Sequence, residues 1–228
     1  MNGYVQQFAG GLLLTLQVST GSFVIGLIFG AFGAAAKLSR KRALRCLGGL
    51  YTTVVRALPE LLLLLICFYI LATRFAALAI WVGLAPADFT FDPFLVAVFA
   101  LGLIQGAYLT EVFRMAVQEI AQGQFEACDS LGLGFVPRWW FVLGPAMLRN
   151  ALPALGNVWL NATKDSSLIS IVGAFADVLK VGGMAAASTK QYLFFYSMSA
   201  LVFLGISLAS IWLLKALHVR SAKGLHAR

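Results

Sequence analysis

Runs of apolar residues long enough to cross a bilayer recur along the chain, and short segments between them hold nearly all of the charge. A helix needs about twenty such residues to span the hydrocarbon layer. Five stretches qualify: residues 11–36, 50–72, 93–117, 150–173 and 192–214. The pattern predicts an all-α integral membrane protein, with one transmembrane domain over residues 1–228 and no separate soluble domain. The N-terminal segment lacks the basic start and small-residue cleavage site of a signal peptide, so the first span is expected to be retained.

Polar residues within the spans are few, and each is costly unless it faces a cavity or a protein neighbour. The second span opens Tyr51-Thr52-Thr53-Val54-Val55-Arg56-Ala57-Leu58-Pro59-Glu60. Pro59 is expected to kink that helix mid-span and to leave Glu60 near the bilayer midplane. Arg56 is expected to snorkel toward the cytoplasmic head groups. Glu60 either pairs with a neighbouring helix or faces a pathway. In the third span Gln105, Tyr108 and Glu111 recur at steps of three and share one broad helical face. Gly106 and Ala107 would let another backbone approach closely. A structural network accounts for Tyr108 and Glu111 as well as ligand contact does, and Arg114 suits an anchor at the cytoplasmic boundary.

The fourth span is the most polar. Asn157, Asn161, Lys164 and Asp165 stand at i, i+4, i+7 and i+8, one stripe of a helix, with Ser166 and Ser167 directly after. Facing lipid, such a stripe would be prohibitive. It must line a pathway or an intersubunit seam, although neighbouring helices could also neutralise Lys164 and Asp165.

Charge sets the orientation. Lys37, Arg40, Lys41, Arg42 and Arg45 lie between the first two spans, Arg114, Arg138 and Arg149 between the third and fourth, and Lys215, Arg220, Lys223 and Arg228 after the fifth. The opposite side holds Arg74, Lys180 and Lys190. By the positive-inside rule the N-terminus is outside and the C-terminus cytoplasmic, which suits a bacterial inner membrane. The net charge of +8 is mostly this bias, with some attraction to anionic lipid, and calls for no nucleic acid. With 61% hydrophobic and 11% charged residues, a soluble domain is excluded.

Chemistry is sparse. Cys46 and Cys128 fall on the cytoplasmic side and Cys67 within a span, with no metal-ligand spacing and no disulfide expected. The histidines, His218 and His226, are both in the tail, and no Gly-Lys dipeptide exists from which to build a phosphate-cradling loop. No catalytic residue, metal or bound cofactor is assigned. If ATP drives this protein, another subunit binds it.

Against that background the segment 123–145 is unusual: a long cytoplasmic loop of mixed polarity. It reads Gly123-Gln124-Phe125-Glu126-Ala127-Cys128-Asp129-Ser130-Leu131-Gly132, then runs through Pro137-Arg138-Trp139-Trp140 to Gly144-Pro145. Ala127 and Cys128 are small enough for a helix to lie close to a partner. Gly132 can take positive φ in a turn after a short helix. Pro137 sits where a second helix can begin.

This string resembles the EAA loop of binding-protein-dependent ABC importer permeases, in which Glu-Ala-Ala is followed by three residues and Gly, and nine residues later by Ile-x-Leu-Pro. Glu126, Ala127, Gly132 and Pro145 fall on the pattern, while Cys128, Val142 and Gly144 replace its second Ala, its Ile and its Leu. Three further strings, Tyr-Thr-Thr-x-x-Arg-x-x-Pro-Glu at 51–60, Gly-Ala-Tyr-x-Thr-Glu-x-Phe-Arg at 106–114 and Lys-Asp-Ser-Ser-Leu-x-Ser at 164–170, resemble the polar amino acid branch, and within it the histidine, lysine–arginine–ornithine and opine systems.

The resemblance implies a five-helix permease paired with a like subunit, an ATPase dimer carrying ATP and Mg, and a periplasmic substrate-binding protein. It also implies that the loop forms two short helices docked in the ATPase. Phe125, Glu126, Ala127, Cys128, Gly132 and Pro145 become the coupling residues. Glu60, Gln105, Tyr108, Glu111, Asn161, Lys164 and Asp165 become candidates for contact with a polar, cationic substrate. An ion-gradient-driven transporter would use the same carboxylates as proton or sodium sites, and five spans with a structured cytoplasmic loop speak against it. A non-transporting scaffold would tolerate loss of the fourth-span stripe.

Overall fold

The structure, a computed structural model, describes residues 2–84, 86, 88–172 and 175–223. Gly173, where the fourth span was expected to end, lies outside the described residues, as do His226 and Arg228 of the basic tail and the side chains of Arg220 and Lys223. The described residues contain helices and no strand.

In chain order they are α1 (Asn2–Leu38), α2 (Arg42–Ala57), α3 (Glu60–Leu65), α4 (Ala72–Trp81), α5 (Pro93–Gln118), α6 (Gln122–Ser130), α7 (Phe135–Pro137), α8 (Gly144–Asp165), α9 (Ile169–Val172), α10 (Val178–Thr189) and α11 (Tyr192–Lys223). A π-helical stretch, Ile66–Leu71, fuses α3 and α4 into one rod, and a second, Arg138–Leu143, fuses α7 to α8. A 3-10 turn, Ser166–Leu168, joins α8 to α9.

Local chemistry sets several boundaries. Asp92 accepts a hydrogen bond from the Phe94 amide at 2.8 Å and Pro93 occupies the first turn of α5, a start built from an N-cap and a proline that needs no donor. Asp177 caps α10 in the same way, through the Lys180 amide at 3.0 Å. Leu58 is extended at ψ 147° because the following proline disfavours helix there, so α2 stops at Ala57.

That break corrects the reading of the second span. Pro59 does not kink a continuous helix over 50–72; it separates two helices, and Glu60 enters the first turn of the second one. The apolar run is therefore Glu60–Trp81. By length and composition, four helices can cross a membrane: Gly3–Leu38, Glu60–Trp81, Pro93–Gln118 and Tyr192–Ala216. The expected fourth span, carried by α8, is not among them, because the Asn157–Asp165 stripe makes it too polar.

α1 and α5 form the centre of the fold and pack along most of their length. Val18, Leu101, Ile104 and Leu109 are fully buried between them and their neighbours. The approach is close enough to require glycine. A Cβ on Gly30 would stand 2.6 Å from that of Leu109, and one on Gly106 would stand 2.5 Å from that of Phe29. Such contacts replace the hydrophobic effect as the packing force inside lipid.

Gly106→Ala is expected to destabilise the protein by roughly 1–3 kcal/mol through overpacking. Gly49→Ala, helical with open space at its Cβ, is expected to be neutral or stabilising. Thermal unfolding in one detergent checks the pair; equal melting temperatures would remove the close-packing argument.

The C-terminal end of α1 and that of α5 are tied together by charge, and Asn150 at the start of α8 donates to the Ala116 carbonyl at 3.1 Å. One end of the molecule thus gathers Lys37, Arg114 and the segment leading into α8. At the other end α10 packs on α1 and α11 through Phe8, Val178, Val181 and Phe195.

Candidate functional site

Four separate helical segments bring polar groups to one place. Tyr108, about midway along α5, donates from Oη to Glu60 Oε1 at 3.1 Å. The carboxyl of Asp165, the last residue of α8, meets that of Glu60. Arg56, one turn before the Pro59 break, sets its guanidinium carbon 5.4 Å from the centre of the Tyr108 ring. Glu60, Tyr108 and Asp165 are half-buried. Arg56, expected to snorkel toward the head groups, is exposed four residues before the apolar run begins and packs over the Tyr108 ring.

The helix break explains the convergence. A straight helix through 50–72 would give Arg56 and Glu60 one common face, whereas the extended Leu58–Pro59 link sets the two residues on different helices. Tyr108 then bridges them, its ring against Arg56 and its hydroxyl on Glu60.

The other expected contacts go elsewhere. Gln105 is 2% exposed and turned toward α1, where a Cβ on Gly26 would touch it at 3.3 Å. Neither atom of its amide has a hydrogen-bond partner among the described residues. Glu111 makes an ion pair with Lys37 of α1 and accepts from Arg114 Nε at 2.8 Å. Lys37 also donates to Thr52 of α2 at 2.9 Å, and Arg114 donates to Gln118 at 2.7 Å. Gln105, Tyr108 and Glu111 thus do not line one surface. Their face is broad, and the helices around α5 divide it.

Lys37 and Thr52 were not singled out from the sequence. Lys37 is the first of five cationic residues in a basic cluster, and nothing local distinguishes it from its neighbours. Glu111→Gln is expected to leave Lys37 and Arg114 without their shared counter-ion, at about 1–3 kcal/mol given their partial exposure. The variant should yield less folded complex yet keep the substrate preference of the parent. A changed preference at unchanged yield would return Glu111 to the substrate site.

Asn157, Asn161 and Lys164 are exposed on the single chain, and Asp165 lies at the edge of that face. The stripe is therefore not consumed by packing within the described residues. Asn157 also lines a cavity of about 370 Å³ between α8 and α11, with Leu152, Pro153, Gly156, Leu160 and Lys215.

The coupling residues form a compact unit. Cys128 is buried and Phe125 half-buried, while Glu126 and Ala127 face out. Glu126 accepts from Gln122 Nε2 at 2.9 Å, one turn back along the helix. Gly132 adopts φ +62°, its amide donates to the Asp129 carbonyl at 3.0 Å and the Leu133 amide to the Cys128 carbonyl at 3.0 Å. That pair of bonds is the Schellman closure of a helix end.

Beyond it, Pro137 sits in the first turn of the second helix, which starts at Phe135 and runs on through Arg138–Leu143, so its missing donor costs nothing. Pro145 lies in the first turn of α8, not in a loop. An ion pair between Arg138 and Asp129 ties the second limb to α6.

Polar groups brought together from four helices, beside helices long and apolar enough to cross a membrane, suit a membrane transport component. The family model for the binding-protein-dependent transport system inner membrane component matches residues 22–223. The chain belongs to that family. It is 42% identical to the nopaline transport system permease protein NocQ of Agrobacterium fabrum over 210 residues, 91% of this chain and 88% of that protein. It is 33% identical to the histidine/lysine/arginine/ornithine transport system permease protein HisQ of Salmonella typhimurium over 215 residues, 94% of this chain and 93% of that one. The crystal structure of an amino acid ABC transporter with histidines superposes with a TM-score of 0.79 at 28% identity, covering 96% of each chain.

Proposed function

We propose that this permease subunit imports cationic amino acids or opines across the bacterial inner membrane, as one half of a pathway completed by a second permease subunit. The observation that carries the substrate class is the Tyr108–Glu60 hydrogen bond, with the Asp165 carboxyl close enough to Glu60 to interact with it. Two acidic groups side by side, partly open, offer a guanidinium or ammonium the paired acceptors it needs. Arg56, exposed beside them, and Lys164, exposed next to Asp165, offer a counter-charge to the substrate's carboxylate. The names of the relatives point the same way.

The second permease, identical or homologous, covers the Asn157–Asn161–Lys164 face, since lipid cannot. ATP and Mg are held by an ATPase dimer in the cytoplasm, and a periplasmic substrate-binding protein delivers the ligand; the N-terminus is outside. α6 docks on the ATPase through Glu126 and Ala127, with Cys128 and Phe125 fastening it from behind. Pro145 sits where the second limb enters α8.

ATP-driven closure of the ATPase pair moves α6. The Arg138–Asp129 pair and the unbroken helix through Arg138–Leu143 pass that motion to α8, whose far end carries Asp165. The carboxyl pair is thereby opened or closed by the same rod that the ATPase pushes. A substrate shifts this equilibrium only by its differential affinity for the two states.

Gentle affinity purification from native membranes, followed by mass spectrometry, tests the assembly. An ATPase and a second permease in stoichiometric amounts are expected. A chain that purifies alone after crosslinking would contradict the reading and favour a gradient-driven transporter.

A further inference from the structure

The helices on either side of α2 in the chain do not hold it in place. It is a helix of 16 residues, entered through the non-helical residues 39–41 and cut off from α3 by the extended Leu58–Pro59 link. Its last turn nevertheless carries Arg56, whose guanidinium packs over the Tyr108 ring. Among the described residues Arg56 makes no ion pair. Whatever fixes α2 therefore fixes Arg56.

Apolar packing supplies part of the hold. Val55 is buried in one cluster with Ile104 and Ala107 of α5. Such contacts are non-directional, so they choose a face and leave the helix free to turn or slide on it. Direction comes from two adjacent residues. Thr52 accepts from Lys37 of α1 at 2.9 Å. Tyr51, half-buried, donates from Oη to the Leu103 carbonyl of α5 at 2.6 Å.

The Tyr51 bond depends on a gap. Leu103 lies within α5, and a Cβ on Gly106 would stand 2.7 Å from Tyr51 Oη. Glycine at 106 thus lets the hydroxyl reach the helix backbone, where a carbonyl has a second lone pair to offer. Tyr108 follows Leu103 by five residues on α5, and Arg56 follows Tyr51 by five on α2. The bond therefore pins α2 to the helix that carries the aromatic seat of Arg56, little more than a turn away on each.

We propose that Tyr51 is a positioning residue for substrate recognition: by tying α2 to the α5 backbone it keeps Arg56 where it meets the substrate's carboxylate. This role rests on the one given above to Arg56, and Tyr51 acts through that residue.

The test is equilibrium binding to the assembled transporter in nanodiscs, without the binding protein, of arginine and of agmatine, which is arginine lacking its carboxyl. Tyr51→Phe keeps the ring and loses only the oxygen. It is expected to weaken arginine about fivefold and agmatine less than about twofold. Arg56→Gln should weaken arginine about tenfold or more and again spare agmatine. In the double variant Tyr51→Phe should add little to the loss from Arg56→Gln, since both act through one contact. Gly106→Ala, whose Cβ would displace the hydroxyl from the other side, should shift the ratio between the probes in the same direction.

A merely structural role would weaken both probes together. Equal loss of the two in Tyr51→Phe, or no loss of either, overturns the proposal even where Arg56→Gln separates them. Losses that simply multiply in the double variant overturn it too, as does a Gly106→Ala complex that is less stable but keeps the parent's ratio. If Arg56→Gln itself fails to separate the probes, the carboxylate role of Arg56 is wrong and that of Tyr51 falls with it.

Discussion

Uptake of a cationic amino acid is expected to fall by about 10- to 100-fold in Glu60→Gln and in Asp165→Asn, with neutral substrates affected far less. The size follows from losing one charge-assisted hydrogen bond, about 1.5–3 kcal/mol, at roughly 1.4 kcal/mol per tenfold. Because the two carboxyls meet, the double variant should lose less than the product of the single losses, as coupled groups do. Tyr108→Phe removes the hydroxyl that orients Glu60 and should have a smaller effect on the same substrates. Uptake assays with arginine and a neutral amino acid in one membrane preparation provide the comparison. Equal loss for both substrates would remove the carboxyl pair from the specificity argument and leave it a structural contact.

The second large effect belongs to the turn. Gly132 at φ +62° occupies the left-handed region, which costs an ordinary residue about 1–2 kcal/mol and a β-branched one more. Gly132→Val should therefore open the Schellman closure, freeing the Asp129 and Cys128 carbonyls and loosening α6 from the limb that feeds α8. Transport is expected to drop more than tenfold, with ATPase association weakened or hydrolysis uncoupled from uptake. Gly132→Asn, which tolerates the left-handed region, should retain most activity. Normal assembly and uptake in the valine variant would contradict the coupling role of the turn.

Much of this was readable from residue order alone, and the exceptions share a cause. α5 falls close to its expected bounds and α11 begins where expected, running nine residues past the expected end, because a long apolar run, closed by Asp92-Pro93 at one start, leaves few alternatives. The Gly132 turn was legible because a glycine a few residues past Glu-Ala-Cys closes such a helix at no steric cost. Pro59 was misread by hydropathy: a window averages across it, while the backbone ends one helix and begins another.

Glu111 stayed open between a structural network and ligand contact because its partner Lys37 lies 74 positions away, a distance that no local pattern encodes. Gln105 shares a helical face with Tyr108, but α1 takes one side of that face and Glu60 the other. The union of Glu60, Tyr108 and Asp165 was named residue by residue, yet only packing could show which members of the candidate set touch.

The central claim, that this chain forms part of an ATP-driven route for cationic amino acids, is most directly tested in proteoliposomes. The purified complex would be sealed with ATP and Mg on the cytoplasmic face and supplied with loaded binding protein on the other. Accumulation of labelled arginine that requires both ATP and the binding protein, and that ignores protonophores and sodium ionophores, is the predicted result. Accumulation that proceeds without ATP and collapses with the ion gradient would contradict it.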